Sequence, residues 1–382
     1  MNRLKQIDIL RAIAVFLVMG RHLERCPPAS SAFLYHLTRI AARGGWIGVD
    51  LFFVLSGFLV SGLLFREYEK YRELRLGHFL VRRGFKIYPS FWILIGFTVA
   101  MMSLHHQDFS GSALASELLF FQNYGPALWN HTWSLAVEEH FYLLLALGAF
   151  VLARRSSPRP FAVIPGVFIA LALLCLILRV LNSWHSPYSH KTHLYPSHLR
   201  LDSLFFGVLL SYLYHQHSTE FVARARRWRY VLMGVGVLLL VPAFYYPLES
   251  TPFIYTYGLT EFYLGSGCLL VGALGFGAPT SRFSQAVAYI GSHSYSIYLW
   301  HAAVALWGTA FVHDLLLPHQ SWYIYAATYL AGSFAVGVGM AVLIEFPVLR
   351  LRDRLFPSRG RPLETGANDA RDALQGLPST IA

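Results

Sequence analysis

The chain has 382 residues, of which 55% are hydrophobic, 16% aromatic and only 13% charged, where a soluble domain has about a quarter charged. This composition excludes an ordinary soluble enzyme and predicts an all-α, polytopic membrane protein. The formal net charge of +11 does not argue for nucleic acid, because membrane proteins concentrate Lys and Arg in their cytoplasmic connections.

The first apolar stretch, Asp8 to His22, carries ionisable groups along its length. A charge near the middle of a membrane helix costs at least ~2.5–3.5 kcal/mol on insertion scales, so a residue kept there normally faces protein and has a task. Arg11 and His22 stand eleven residues apart, which is three helical turns plus roughly 20° and a rise of about 16 Å. One helix face therefore presents both. The plainer reading is a signal-anchor helix with Arg11 snorkelling and His22 among the headgroups. Basic residues ahead of an apolar run also suit a secretory signal, but Asp8 and Arg11 interrupt it and no small-x-small site follows, so a retained first helix is expected.

Ten stretches are long enough to cross roughly 30 Å of hydrocarbon: about residues 7–25, 46–65, 87–104, 133–152, 161–181, 198–214, 230–247, 253–275, 290–312 and 322–346. Their connections sort by charge. Arg3 and Lys5, the segment from Arg66 to Lys86, Arg154, Arg155 and Arg159, the segment from Arg224 to Arg229, Arg282, and the C-terminal set from Arg350 through Arg361 to Arg371 fall on one side. The other side has only Arg25, Arg39, Arg43 and Lys191. Both termini are therefore expected in the cytoplasm, with an integral-membrane domain over 1–350 and a basic cytoplasmic tail over 351–382. Beyond Phe356 that tail is rich in Pro, Gly and charge and is expected to be disordered. Cys26, Cys175 and Cys268 form neither a disulfide framework nor a zinc pattern, and no metal is expected.

This topology gives each polar residue a depth. His22 lies near the outer end of the first span and Asp50 about one turn below the outer surface on the second, so the two match. The fourth span enters from outside at Trp133 and puts Glu138 and Glu139 in its outer half; the sixth does the same with Arg200 and Asp202. Either these residues form a functional cluster facing outward, or they are ion pairs, such as Arg200 with Glu138 or Glu139, that pin helices together. On the cytoplasmic side, Gly77 to Pro89 interleaves Arg82, Arg83 and Lys86 with apolar residues. Two readings fit: an interfacial segment on anionic membrane lipid, or cations donating charge-assisted hydrogen bonds to a nucleotide-bearing donor.

Together these pieces resemble the acyltransferase-3 family, multi-spanning bacterial enzymes that acylate sugars of surface or exported glycans. The resemblance covers about residues 5–350. It rests on Arg11 and His22 at R-x10-H spacing, Gly48 to Phe58 with Asp50, Arg82-Arg83 leading to Ile87-Tyr88-Pro89, Trp133-Ser134-Leu135 to Glu138-Glu139, Arg200-x-Asp202, and Tyr295 to His301. The family usually has Arg where Lys86 stands and Gln where His140 stands; Lys keeps the charge but loses the bidentate fork.

The resemblance implies transfer of an acyl group, expected to be acetyl, from cytosolic acyl-CoA to a hydroxyl of a sugar, polysaccharide or lipopolysaccharide, in the bacterial inner membrane. Arg11, Arg82, Arg83 and Lys86 are then expected to hold acyl-CoA, and the rise of about 16 Å from Arg11 to His22 is similar to an extended pantetheine arm. Trp133, Arg200, Asp202 and His301 are expected at the acceptor. His22 is the expected general base, or alternatively a transient acyl carrier. Asp50 is the candidate that orients it, with Glu138 and then Glu139 as alternatives. A hypothesis of another class is a proton- or solute-coupled transporter using the same intramembrane Glu, Asp, His and Arg residues. Against it, no repeat is visible and the Arg cluster has no transport task.

Overall fold

A computed structural model describes residues 4–316 and 321–359. Among them, sixteen α-helices follow in order: α1 (Lys5–His22), α2 (Ala32–Gly44), α3 (Gly48–Tyr71), α4 (Leu76–Leu104), α5 (Gly111–Leu118), α6 (Trp133–Ala153), α7 (Ile164–His185), α8 (His190–His193), α9 (Leu201–Gln216), α10 (Ser218–Tyr245), α11 (Leu259–Leu274), α12 (Arg282–Ser292), α13 (Ser294–Ala303), α14 (Thr309–Leu316), α15 (Trp322–Met340) and α16 (Phe346–Leu355). No strand occurs among the described residues. Among the described residues, six helical segments are long and apolar enough to cross a membrane: Ala32–Tyr71, Leu76–Leu104, Asn130–Ala153, Pro160–His185, Ser218–Tyr245 and Trp322–Leu355. Charge keeps α1 out of that group, through Lys5, Asp8, Arg11 and Arg21.

The polarity of the molecule is inverted relative to a soluble protein. α7 turns Val167, Ile169, Leu173 and Ile177 outward and α10 turns out Val231, Val237, Leu238 and Val241, whereas Asp50, Arg179, Arg200 and Asp202 are at most 1% exposed. Apolar surfaces around buried charge suit a lipid environment and not water. The protein is a multi-pass integral membrane protein.

Glycines set how closely the inner helices approach. A Cβ on Gly57 of α3 would sit 1.9 Å from the Leu204 carbonyl oxygen, and one on Gly207 of α9 would sit 2.2 Å from that of Val54. Small residues at such a crossing let two backbones touch. At the start of α3, a Cβ on Gly48 would fall 2.4 Å from the Ala14 carbonyl oxygen of α1. The Gly48 to Phe58 motif thus wedges α3 between α1 and α9.

Among the described residues, three π-helical turns, Ile254–Gly258, Val304–Gly308 and Ala341–Glu345, interrupt longer helices. The last of them leads from α15 into α16, so the chain beyond residue 350 is still helical to Leu355. Arg82 binds Asp353 at 2.9 Å and the Phe356 carbonyl, and Arg359 binds Glu67 at 3.1 Å and Glu73 at 2.9 Å. Up to Arg359, the segment assigned to the tail packs on α3 and α4. Residues 360–382, with Arg361 and Arg371, lie outside the described residues.

Candidate active site

Arg83 and Lys86 lie one turn apart on α4 and face Arg11 of α1 across a cavity. It encloses about 870 Å³, open mouth included, and is also lined by Ser56, Glu138, Tyr142, Tyr295 and Tyr298. Lys86 is bound to Glu345, which also accepts from Ser296 Oγ at 2.7 Å. Arg83 has no carboxylate partner within ion-pair distance among the described residues; its guanidinium lies 5.8 Å from the ring centres of both Phe79 and Tyr142. Glu138 accepts from the Tyr142 hydroxyl and from Ser56 Oγ at 3.3 Å. Arg82 does not line this cavity. Successive helical residues point about 100° apart, and Arg82 is turned to Asp353 and Phe356 instead.

A second cavity opens around His22, lined by Arg21, Trp46, Asn130, His131, Trp133, His190 and Tyr195. His22 is exposed there at the end of α1. Its ring centroid is 5.1 Å from that of the fully buried His301, and His301 is 5.0 Å from His131. The Tyr298 hydroxyl donates to the His131 carbonyl at 2.6 Å and lies 2.7 Å from Ser134 Oγ. Trp133 stacks on Tyr195 at 4.9 Å. Val49 and Tyr298 line both cavities, so these two side chains form the partition between the cationic cavity and the histidine cavity. α1 serves both, Arg11 in one and His22 in the other.

The remaining predicted residues are placed otherwise. Asp50 is bound to Arg200 at 2.8 Å, with both side chains at most 1% exposed, and it makes no hydrogen bond to His22. Matching depth did not bring the two into hydrogen-bond contact: the charge partner of Asp50 is Arg200. Arg200 therefore pairs with neither Glu138 nor Glu139; its guanidinium lies 5.8 Å from the Trp133 ring. Asp202 binds Arg179 at 2.7 Å, and Arg179 also donates to Thr260 at 2.8 Å. Arg200 and Asp202 line neither cavity. Glu139 accepts from the Tyr88 hydroxyl at 2.9 Å, and neither it nor Glu138 is hydrogen-bonded to His22. His140 lies 2.6 Å from Ser197 Oγ.

The sequence model of a family described as an acyltransferase domain matches residues 4–342 of this chain. The chain belongs to this acyltransferase family. As a member it is an acyltransferase, and the transporter reading finds no support. It is similar to the peptidoglycan O-acetyltransferase OatA of Listeria monocytogenes, at 28% identity over 320 residues, 77% of this chain and 48% of that protein. It is also similar to a putative O-acetyltransferase of Staphylococcus aureus, at 27% over 346 residues, 84% of this chain and 53% of that one. A putative peptidoglycan O-acetyltransferase of Bacillus subtilis, YrhL, matches at 27% over 333 residues, 79% of this chain and 49% of that protein. The chain spans about half the length of these curated relatives. No solved structure matches it.

Sequence reasoning about this acyltransferase missed Glu345, His131 and Arg179. Glu345 carried a usable signal, being an acidic residue inside the last apolar stretch, and such residues are functional candidates by default. His131 stands two positions before Trp133, and nothing in its spacing marked it. Arg179 was visible as a charge in the fifth span, but its partner depends on how α7 and α9 pack.

Proposed function

We propose that this acyltransferase moves an acyl group, acetyl in the first instance, from acyl-CoA in the cationic cavity to a sugar hydroxyl in the histidine cavity. The observation that carries this reading is the shared partition: one cavity is lined by Arg11, Arg83 and Lys86, the other by His22, and among the described residues only Val49 and Tyr298 line both. Arg83, a cavity-lining cation without a carboxylate partner among the described residues, suits an anionic donor such as a CoA phosphate. His22 takes the proton of the acceptor hydroxyl as its oxygen attacks the thioester carbonyl. The carbon–sulfur bond breaks, CoA leaves as thiolate, and the proton on His22 passes to that sulfur. The names of the relatives favour acetyl as the acyl group and a glycan such as peptidoglycan as the acceptor.

In this reading the chain crosses the inner membrane ten times with both termini cytoplasmic, so that donor and acceptor arrive from opposite faces. Two experiments test it. Purified protein given acetyl-CoA and peptidoglycan fragments should release free CoA only when the fragments are present, and acceptor-independent or absent release would count against it. In intact cells, a cysteine at Lys191 should react with an impermeant reagent while cysteines at Arg75 and Arg227 stay protected; the reverse pattern would overturn the topology.

A further inference from the structure

A neutral imidazole acting as a base must hold the proton of its other ring nitrogen against an acceptor, or it presents the wrong tautomer part of the time. Asp50 does not supply that acceptor to His22, since it is bound to Arg200. Glu138 lines the other cavity, bound by Tyr142 and Ser56. The group packed on His22 is His301, with ring centroids 5.1 Å apart.

The surroundings of His301 fix where its proton is. Its Nδ1 faces the Tyr298 carbonyl oxygen, which can only accept, so Nδ1 carries the hydrogen and Nε2 is a lone pair. That Nε2 is buried without a hydrogen-bond partner among the described residues, a condition that buried polar atoms rarely tolerate. His131 cannot satisfy it. The Nε2 of His131 is 3.2 Å from the Leu299 carbonyl oxygen, so it carries the proton and leaves Nδ1 as a second lone pair, and two lone pairs do not bond. His22 is the remaining imidazole of the cluster, and its ring makes no hydrogen bond among the described residues.

Resting on the reading of His22 as the base, we propose that His301 is its positioning residue: Nε2 of His301 accepts the N–H of His22 and so aims the opposite nitrogen of His22 at the acceptor hydroxyl. Two imidazoles joined by a hydrogen bond of ordinary length have centroids about 5 Å apart, which is the separation that His22 and His301 already have. When the hydroxyl proton reaches His22, its N–H becomes that of an imidazolium and the bond to His301 becomes charge-assisted. His301 keeps its own proton on the Tyr298 carbonyl throughout. The chain of groups runs from acceptor hydroxyl to His22, His301 and the backbone of α13.

The test compares His301→Phe, which keeps a ring and removes both nitrogens, with His301→Gln, whose side-chain carbonyl can still accept from His22. In full-length protein assayed with acetyl-CoA and peptidoglycan fragments, His301→Phe is expected to lower kcat by roughly 10- to 100-fold, the usual cost of removing a partner that orients a functional histidine. The KM for acetyl-CoA should not change, and His301→Gln should recover most of the rate. Solid-state nitrogen NMR of histidine-labelled protein in lipid, with His22 assigned by its loss in His22→Gln, should show a single His22 tautomer in the wild type and a mixture in His301→Phe. If His301→Phe does not fold, His301→Asn, long enough for the Tyr298 carbonyl but too short for His22, replaces it with the same expectations. An unchanged His22 tautomer or a wild-type kcat in His301→Phe (or in His301→Asn where it replaces Phe), or equal damage from Phe and Gln, overturns the proposal. Loss of transfer in His22→Ala beside normal behaviour of His301→Phe overturns this proposal alone, whereas transfer retained by His22→Ala overturns the base reading with it.

Discussion

In the cavity around Arg83, charge is permanent and largely held in place: Lys86 is tied to Glu345, and Arg11 lies 3.9 Å from Asp8. In the cavity around His22, the groups nearest the partition are imidazoles, and the carboxylate at hand, Glu249, binds Arg21 at 3.2 Å with its own side chain 49% exposed. Fixed cations suit a ligand whose negative charge never changes during the reaction. Imidazoles suit a step in which a proton must be taken and returned. The difference teaches that fixed cations and imidazoles are kept in separate cavities in this fold, Arg11 in one and His22 in the other, both carried by one helix, α1.

That separation can be broken in graded steps. The largest effect is expected from His22→Ala, which should cost about 10²–10⁴-fold in kcat with the KM for acetyl-CoA unchanged; steady-state kinetics check both. Asp50→Asn belongs to neither cavity. It leaves the Arg200 charge buried without its partner and should destabilise the fold by about 3 kcal/mol or more, read as a lower thermal midpoint. If this variant were as stable as the wild type yet inactive, Asp50 would return as a catalytic candidate. Arg83→Ala should weaken acyl-CoA binding roughly tenfold or more, since a hydrogen bond to a charged group contributes roughly 1.5–3 kcal/mol, and should leave kcat at saturating donor nearly intact. Its neighbour Arg82 sharpens the contrast. Arg82→Ala removes a partly exposed ion pair to Asp353 worth about 1 kcal/mol at most, so it should loosen α16 slightly and leave the KM for acetyl-CoA unchanged. Equal effects of Arg82 and Arg83 on that KM would show that the cations act as a diffuse basic patch.

Most of the helical architecture could be read from the chain because apolar length and helical period are local properties. The common face of Arg11 and His22 follows from 3.6 residues per turn, and α1 is an unbroken helix from Lys5 to His22. The site residues divide according to whether one helix was enough to place them. Arg83 and Lys86 could be grouped from spacing, but that Arg82 leaves the group depends on α16, whose Asp353 lies 271 positions away in sequence.

Composition and periodicity by themselves determined that the chain is helical and membrane-embedded and that charged residues lie within its spans; the acyltransferase reading came only from the resemblance of its motifs to a known family. They assign each polar residue a depth along its helix axis. Only the tertiary structure decides which way that residue points around the axis, because that rotation is set by packing, here by Gly48 against α1 and Gly57 against Gly207 of α9. Asp50 and His22 were matched in depth, but the rotation of α3 gives Asp50 to Arg200, where two buried charges neutralise each other. The same packing lays His301 against His22. No spacing rule could pair these residues, since they lie on helices at opposite ends of the chain and meet only when the bundle closes.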